Sequence, residues 1–265
     1  MSDNMWHSTL GRVAFINCEP LYFGLGNEWN ILPAPPSWLT GHLLRRDCIV
    51  APIPAADYAE NIDQLVLIPN IAISSRGEVG SVLLFSNYNL ENIESVALPS
   101  DSATSTKLLK YILEQKGIVP KYIEMGPDLQ SMLSEYDSCL LIGDRALQAA
   151  ARNPELVKLD LGNEWKDLSN TPMVFGVFAA RRDTDISLVR KAHNALLTQL
   201  EKFESDSESR AAVIDECMRK TNQNRERLEK YFGEVINRID EEDMKGLREF
   251  LVTVCGVSTH PKLAW

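Results

Sequence analysis

The chain contains 265 residues, 45% of them hydrophobic, and carries a formal net charge of -10 at pH 7. That length and composition are typical of a globular protein with either one large domain or two lobes. The negative charge argues against nucleic acid or an anionic membrane surface as a partner. A bound anion would therefore need local donors, such as loop N–H groups and helix N-termini.

The N-terminal region has no basic segment followed by a long apolar run, and no stretch approaches the ~18 apolar residues that a membrane span needs. We therefore predict neither a signal peptide nor a membrane-spanning helix. The five cysteines are scattered, form no C-x-x-C pair and do not cluster with the four histidines. This pattern predicts reduced thiols in a cytoplasmic protein and no metal site.

Strand and helix patterns alternate through the first third of the chain. Short apolar runs bounded by turn residues predict strands, and amphipathic runs predict helices. The predicted elements are a strand at 12–17, helices at 20–26 and 37–46, a strand at 47–53, a helix at 54–61 and strands at 64–75 and 80–87. Ser37 is the predicted cap of the second helix.

A second alternating series and a helical tail follow. The series comprises a strand at 95–99, a helix at 103–117, a strand at 121–125, a helix at 128–136, a strand at 138–144, a helix at 145–152, a strand at 156–162, a helix at 163–170 and a strand at 173–181. The tail comprises four charged helices at 187–203, 209–221, 225–239 and 241–255.

This order of elements predicts an α/β fold with two lobes, each a mixed, mostly parallel sheet flanked by helices. We assign residues 1–88 and 178–265, including the C-terminal helices, to lobe 1 and residues 89–177 to lobe 2. Ligands in such sheets bind beyond the carboxyl ends of strands, and in two-lobed proteins they bind between the lobes. We therefore expect the functional residues at strand ends that face this cleft.

The turn SDSATST, residues 100–106, has more hydroxyl groups than one helix cap requires. Its hydroxyls and free N–H groups stand before a predicted helix, where an anion is stabilised by the helix N-terminus. The turn lacks the glycines of a nucleotide-binding loop. It predicts an anion site, and local capping by the same hydroxyls is the alternative.

Polar residues at other predicted strand ends leave two interpretations open. Asn17 is either an ordinary turn residue or a group that faces the cleft. Asp144, which follows Gly143, is either a helix N-cap or a cleft carboxylate. Arg145 and Arg76 are either partners of a bound carboxylate or surface residues.

The sequence contains no nucleophile elbow, no cluster of metal ligands and no cofactor-binding loop. Cys18 has no histidine partner nearby and is not assigned as a nucleophile. Glu19 could cap the next helix or face the cleft. An enzyme with this sequence would need little acid–base machinery from its own side chains and no cofactor.

Six ordered motifs resemble the MqnA family, the chorismate dehydratases of the futalosine route to menaquinone. They are GRVAFINCEPLYFGL, VAPIPAADYAEN, SRGEVGSVLLFS, ALPSDSATSTKLLKYIL, LLIGDRAL and DLGNEWKDLSNTPMVFGVFAAR. The similarity is close over residues 11–182 and loose in the helical tail. The resemblance implies a type II periplasmic-binding-protein fold in a cytoplasmic enzyme, with the dicarboxylate chorismate as its substrate.

The resemblance also implies roles for particular residues. Asn17 would be the catalytic polar group nearest the reacting carbons. The substrate-binding residues would be Ser86, Ser102, Thr104, Ser105, Gly143 and Asp144, with the turn Gly80–Ser81 as a further part of the cleft wall. No side chain is assigned as the base, and a carboxylate of the substrate is a conceivable one. Neither a cofactor nor a particular oligomeric state is implied.

The second motif departs from the family pattern. Many relatives have a run like SPISSIEY, where this chain has Ala51, Pro54 and Ala55 in place of serines. The backbone N–H groups of Ala55 and Ala56, at the start of a predicted helix, could replace the missing hydroxyls as ligand donors.

Two other functions remain open. The sister enzyme of the same pathway, 1,4-dihydroxy-6-naphthoate synthase, resembles this chain but carries a histidine in a LIIHEG-like motif where this chain has Gly143. That histidine is its expected base, so its absence favours the dehydratase. The other candidate is a non-catalytic protein of the same fold that binds a small carboxylate.

Overall fold

Two β-sheets with helices on their faces form residues 5–265, the part of the chain that this computed structural model describes. The strands are β1 (Thr9–Val13), β2 (Asn30–Ala34), β3 (Val50–Pro54), β4 (Leu65–Ser75), β5 (Val82–Ser86), β6 (Ser95–Pro99), β7 (Lys121–Met125), β8 (Ser138–Ile142), β9 (Val157–Asp160), β10 (Met173–Arg181) and β11 (Ile236–Arg238). The helices are α1 (Glu19–Tyr22), α2 (Pro36–Leu44), α3 (Ala55–Glu60), α4 (Ala103–Gln115), α5 (Leu129–Glu135), α6 (Gly143–Arg152), α7 (Leu161–Ser169), α8 (Ile186–Ser205), α9 (Ser207–Thr221), α10 (Arg225–Glu234) and α11 (Glu241–Thr253).

The first lobe is built on a six-stranded sheet with the strand order β11-β4-β10-β3-β1-β2. Strand β1 pairs in parallel with β2 and β3. Strand β10 pairs antiparallel with β3 and β4, and β11 pairs antiparallel with β4. The carboxyl ends of β1 and β3 therefore reach the same edge of this sheet, where α2 and α3 begin.

The second lobe is built on a five-stranded sheet with the order β7-β6-β8-β5-β9. Strand β6 pairs in parallel with β7 and β8, whereas β5 runs antiparallel to β8 and β9. The chain enters this sheet at β5 and returns to the first sheet at β10. Strands β5 and β10 run antiparallel to both of their neighbours. The sheets are therefore mixed as predicted, but neither is mostly parallel, which the prediction had wrong.

The predicted limits of the lobes, at residues 88/89 and 177/178, stay a prediction. The sheet topology favours lobe boundaries that lie earlier in the chain than predicted. Strand β5 belongs to the second sheet, and the whole of β10 belongs to the first.

Both faces of the second sheet are covered at its inner strands, which explains why β5, β6 and β8 are almost entirely apolar. Successive residues of a strand point to opposite faces. Leu83 and Phe85 of β5 accordingly pack in one cluster with α5 and α6, while Leu84 packs in the larger core. No polar-out alternation is visible in such a sequence, and the strands were predicted from length and turn residues alone.

Several local predictions were wrong. The strand predicted at 12–17 lies earlier, at Thr9–Val13, and residues 16–18 form a 3-10 turn. Strand β2 was missed, because Pro33 and a half-exposed edge position give it a weak strand pattern. The helix predicted at 225–239 ends at Glu234, and the following β-branched residues add β11 to the edge of β4. Ser37 is not a cap; Pro35 occupies the N-cap position of α2 and the buried hydroxyl of Ser37 has no partner.

The C-terminal helices pack against elements of the first lobe. Helix α8 contacts α1, α9 and β3, and α11 contacts β10 and α3. Across residues 5–265, no helix combines the length and apolarity that crossing a bilayer requires.

Candidate active site

Most of the strand ends at which functional residues were predicted lie around a cleft between the two lobes. Its apolar lining comes from both sheets and its polar lining from a few side chains. The lining residues are Val13, Phe15, Asn17, Pro36, Pro52, Ile53, Pro54, Ile73, Val79, Ser81, Val82, Ser102, Thr104, Ser105, Ile142, Gly143, Phe175, Gly176 and Val235. None of these side chains is charged, so the lining suits a ligand with an apolar body and groups that accept hydrogen bonds.

The helices that begin at the cleft lack side-chain caps, whereas most of the other helices have them. The capped helices are α5 by Asp128, α7 by Asp160, α8 by Asp185, α9 by Asp206, α10 by Asn224 and α11 by Asp240. No N-cap side chain accepts a hydrogen bond in α1, α2, α3, α4 or α6. The starts of α2, α3, α4 and α6 all contribute to the lining. Several positive helix ends therefore converge on one space, an arrangement that favours an anion.

The SDSATST turn contributes three hydroxyl residues to this cleft and not the full set. Ser102, Thr104 and Ser105 are buried in the lining, whereas Ser100 is exposed. Ser102 occupies the N-cap position of α4 but does not cap it. The first N–H groups of α4 have no partners within the helix and remain available to a ligand.

Thr104 joins the two lobes. Its hydroxyl oxygen accepts a hydrogen bond of 3.1 Å from the backbone N–H of Ala56, at the start of α3. The expectation that Ala56 would offer this N–H to a ligand is therefore wrong for the arrangement observed here. The first lobe thus uses this N–H to bind the second lobe.

Asn17 presents a buried side-chain oxygen to the cleft that has no hydrogen-bond partner. The residue lies in a short 3-10 turn, Ile16–Cys18, that follows β1. Its backbone carbonyl accepts a hydrogen bond of 3.1 Å from the side-chain amide of Asn237, the middle residue of β11 in the first lobe. A buried acceptor without a partner costs about 1–3 kcal/mol, so this oxygen favours a ligand that donates to it.

Gly143 has a backbone conformation and a contact that both require glycine. Its φ is +60°, and an added Cβ would lie 2.5 Å from the ring of Phe15 in the opposite lobe. A side chain at this position would therefore push the lobes apart. This observation bears on the sister synthase, because a histidine at residue 143 would not fit between these lobes as they stand.

Asp144 neither caps α6 nor lines the cleft, so its prediction as a substrate-binding residue is not supported by its position. Its Oδ1 accepts a hydrogen bond of 3.0 Å from the backbone N–H of Ile16 in the first lobe. Partial burial raises the pKa of the Asp144 carboxyl to about 6. The side chain therefore connects the lobes beside Asn17.

Ser86 lies outside the cleft, contrary to its prediction. Because β5 runs antiparallel to β8, the carboxyl end of β5 is at the edge remote from Gly143; Ser86 pairs with Ser138 and Val82 with Ile142. The Ser86 hydroxyl donates to the carbonyl of Asp137 at 2.7 Å. The neighbouring prediction, Ser81 at the start of this strand, does lie in the lining.

Replacing Ser86 by Ala should therefore reduce stability without affecting ligand binding. The variant loses a fully buried hydroxyl that serves both Asp137 and the N–H of Tyr88. We expect the free energy of unfolding to fall by about 1–3 kcal/mol in urea denaturation. A change in the affinity for the ligand, measured on the folded variant, would contradict this assignment.

The charged residues near the cleft are paired with one another. Asp101, inside the SDSATST turn, forms an ion pair with Arg145, whose guanidinium also lies 5.2 Å from the ring centroid of Phe15. Lys107 pairs with Glu60 across the lobes at 2.8 Å. The negative charge of Asp101 in the turn is thus balanced by Arg145. An anion in the cleft would be bound by hydroxyl and N–H groups.

Three further residues that the sequence analysis considered as functional have other roles: two form ion pairs within the first lobe, and the third is an unreactive thiol. Arg76 pairs with Asp240 and Asp243 in the first lobe. Buried Glu19 accepts from both Arg12 and Lys220 and does not line the cleft. Burial raises the pKa of the Cys18 thiol to about 12, so it is protonated at neutral pH and unsuited to act as a nucleophile.

Several residues of the site were not predicted. Phe15 and Phe175 supply aromatic walls from the first lobe. Tyr231, fully buried in α10, donates its hydroxyl to Ser81 at 3.1 Å. The sequence contains no signal for these residues, because the two phenylalanines resemble ordinary core residues and Tyr231 comes from the distant helical tail.

The cavity is small in this arrangement, about 60 Å³. A cavity that holds a benzene-sized ligand measures ~150 Å³. The cavity must therefore widen to hold a substituted six-membered ring, through movement of the lobes or of the lining side chains. Within residues 5–265, no group of three or more His, Cys, Asp or Glu side chains gathers where it could hold a metal ion.

Two mixed sheets with an interlobe cleft define a protein of the periplasmic-binding-protein fold. Solved structures of this architecture include a Candida albicans protein of the generic periplasmic binding protein fold, with a TM-score of 0.68, 9% identity and coverage of 95% of this chain and 90% of that one. A protein from Archaeoglobus fulgidus has a TM-score of 0.74 at 17% identity, covering 94% of this chain and 97% of its own. These likenesses confirm the predicted fold.

The chain belongs to the menaquinone biosynthesis family, whose sequence profile matches residues 8–254. It is 31% identical over 262 residues to the chorismate dehydratase of Thermus thermophilus, with 91% of this chain and 93% of the relative covered. The family predicted from the six motifs is thereby confirmed.

Proposed function

We propose that this protein is a chorismate dehydratase, a hydro-lyase that acts in menaquinone biosynthesis by the futalosine route. The proposal rests above all on one observation: the buried, unpartnered oxygen of Asn17 faces the hydroxyl-lined start of α4 across the interlobe cleft. The identity to the Thermus thermophilus chorismate dehydratase supports the same reaction.

The reaction would convert chorismate to 3-[(1-carboxyvinyl)oxy]benzoate and one water molecule. The ring carbon that bears the enolpyruvyl ether loses a proton, and the adjacent carbon loses its hydroxyl group. The electron pair of the broken C–H bond completes the aromatic ring. Because aromatisation supplies the driving force, the protein needs mainly to orient a dianion and to stabilise the departing hydroxyl.

The cleft would bind the substrate by dividing its groups between the lobes. A carboxylate would lie at the start of α4, where the hydroxyls of Ser102, Thr104 and Ser105 surround free N–H groups. Each hydrogen bond to a carboxylate contributes about 1.5–3 kcal/mol, and the helix end adds about 0.3–1 kcal/mol. The ring would pack on apolar residues such as Phe175, with Asn17 directed at the reacting carbons.

The lining residues include no carboxylate, imidazole or amine side chain that could take the proton. We therefore assign no side chain as the base. A carboxylate of chorismate, held next to the ring in the closed cleft, is the proposed alternative. Asn17 would accept a hydrogen bond from the ring hydroxyl in the bound substrate and so orient the C–O bond. Its amide N–H group would donate to that oxygen as the bond breaks and negative charge develops there.

Turnover of chorismate tests the proposal directly. Purified protein is incubated with chorismate, and the aromatic ether is followed by chromatography and mass spectrometry as a product lighter by one water. Binding that raises the melting temperature without product formation would favour a non-catalytic carboxylate-binding protein. If chorismate neither reacts nor binds, the proposal is wrong.

The double replacement of Thr104 and Ser105 by Ala should weaken substrate binding. We expect KM for chorismate to rise about 10- to 100-fold, because two hydroxyls near a carboxylate are lost. Steady-state kinetics measure the change. The matched control is Ser100→Ala in the same turn, since Ser100 is exposed. A purely structural role for these hydroxyls, such as the bond of Thr104 to Ala56, would instead lower stability and leave KM unchanged.

The cytoplasm is the proposed location, which agrees with five cysteines that are all free of disulfide bonds.

A further inference from the structure

The turn that carries Asn17 donates its first backbone N–H to an acceptor in the opposite lobe. Ile16 is the first residue of this 3-10 turn, so its N–H has no partner within the turn. The preceding residue, Phe15, occupies the N-cap position and has no side-chain acceptor. Asp144 of the second lobe supplies the acceptor, with its Oδ1 3.0 Å from the Ile16 nitrogen.

The backbone of the Asn17 turn is thus bound on two sides while the side-chain oxygen stays free. Asn237 of the first lobe donates to the Asn17 carbonyl, and this bond lies within one lobe. The bond from Ile16 to Asp144 is different, because it exists only while the lobes are in contact. Gly143, immediately before Asp144, permits that contact by leaving room for the Phe15 ring.

We infer that Asp144 is a positioning residue that orients Asn17 from the second lobe, so that the catalytic amide is fixed only when the cleft is closed. This inference rests on the proposed dehydratase function and extends it. Closure around the substrate would thereby couple two events, the exclusion of water and the alignment of Asn17 with the ring. An open cleft would leave the Ile16 N–H to water and the turn free to move.

The surroundings of Asp144 raise the pH at which its carboxyl group ionises. Titratable and charged groups face it from both lobes: Glu19, Arg145, Lys220, Cys18, Cys217 and Tyr231. Partial burial is the largest influence, and it raises the carboxyl pKa to about 6. Protonation below that pH removes the charge from the acceptor and weakens its bond to Ile16.

The effect on stability has the opposite sign from the effect on orientation. The folded pKa of about 6 exceeds the ordinary value of 3.8, so the unfolded chain releases this proton first as the pH rises. Between these two pH values, the contribution of Asp144 to stability decreases as pH rises. Asp144→Asn should therefore be at least as stable as the wild type at pH 7, which separates a positioning role from a purely structural one.

The test compares Asp144→Ala and Asp144→Asn with the wild type and with Asp128→Ala. Asp128 is a matched control in the same lobe, because it caps α5 away from the cleft lining. For Asp144→Ala we expect kcat for chorismate to fall about 10- to 100-fold through misplacement of Asn17, with a smaller change in KM. The Ile16 amide should exchange its hydrogen faster in this variant, as measured by NMR.

Asp144→Asn keeps an uncharged acceptor and should retain most of the wild-type kcat. It should also lack the decline in kcat that we expect of the wild type below about pH 6. If Asp144→Ala retains the kcat of an active wild type, or leaves the exchange of Ile16 unchanged, the positioning role is wrong and the dehydratase function stands. If Asp144→Ala does not fold, an unchanged pH profile in Asp144→Asn overturns the role. A wild type that leaves chorismate intact overturns the proposed function itself.

Discussion

Replacing Asn17 by Ala should lower kcat for chorismate by about 10²- to 10³-fold, the range observed when one preorganised polar group is removed from an active site. Among the described residues that line the cleft, the variant loses the only side-chain amide, with an oxygen that lacks a protein partner. The backbone bonds of the turn, through Ile16 and the Asn17 carbonyl, do not involve this side chain. The fold should therefore be retained, with a thermal unfolding midpoint close to that of the wild type.

Two further variants make this result specific. Asn87→Ala removes an exposed asparagine and should leave kcat unchanged. Asn17→Asp keeps the shape of the side chain but places a carboxylate in a cleft proposed to bind a dianion, so KM should rise as well. Unchanged turnover in a folded Asn17→Ala protein would remove Asn17 from the chemistry.

Replacing Gly143 by Ala should reduce kcat/KM on the order of 10²-fold or more. A φ of +60° costs a residue with a Cβ about 1–2 kcal/mol, and the methyl group would also lie 2.5 Å from Phe15. Overpacking of this kind costs typically about 1–3 kcal/mol. The simplest relief is separation of the lobes, which takes Ser102 and its neighbours away from Asn17.

Gly117→Ala provides the matched control for this variant. Gly117 also has a positive φ, +73°, but nothing lies within 4 Å of an added Cβ. The Gly117→Ala variant should be less stable than the wild type because of the same backbone strain, but it should keep the wild-type kcat for chorismate. Small-angle X-ray scattering in the presence of chorismate should show a larger radius of gyration for Gly143→Ala than for Gly117→Ala. Equal turnover in the two variants would contradict a role for Gly143 in closure.

Much of the fold could be predicted because its elements are locally consistent. The inner strands of the second lobe, β5, β6 and β8, are short apolar runs between turn residues. Helix α4 has an amphipathic pattern between the SDSATST turn and Gly117. Strand β2 could not be predicted, since its edge position and Pro33 are compatible with an extended loop. Strand β11 forms through pairing with β4, a contact that the sequence pattern around Asn237 does not record.

The site was predictable only in part, for a topological reason. Asn17, Ser102, Thr104, Ser105 and Gly143 were all found in the lining, because each follows a strand whose carboxyl end faces the cleft. The prediction for Ser86 was wrong, because β5 runs antiparallel to β8 and its carboxyl end points away from the cleft. Asp144 was placed near the site but with the wrong partner, because hydrogen bonding between residues 128 positions apart depends on how the lobes meet.

The uncapped helices explain why the SDSATST turn has so many hydroxyls. In the six capped helices a carboxylate or amide satisfies the first N–H groups. At α4, Ser102 leaves those groups free and Thr104 bonds the other lobe. An acidic cap here would repel the proposed ligand, so hydroxyl residues are the side chains that remain compatible with both roles.

A crystal structure of the protein with the product 3-[(1-carboxyvinyl)oxy]benzoate tests the arrangement of the site most directly. We expect closed lobes, with one carboxylate within hydrogen-bond distance of the Ser105 N–H and the hydroxyl of Ser102 or Ser105. We also expect the ring to lie against Phe175 and the side-chain amide of Asn17 to contact the ligand. A product bound elsewhere, or bound in the cleft with its carboxylates remote from α4 and Asn17, would contradict this assignment of the active site.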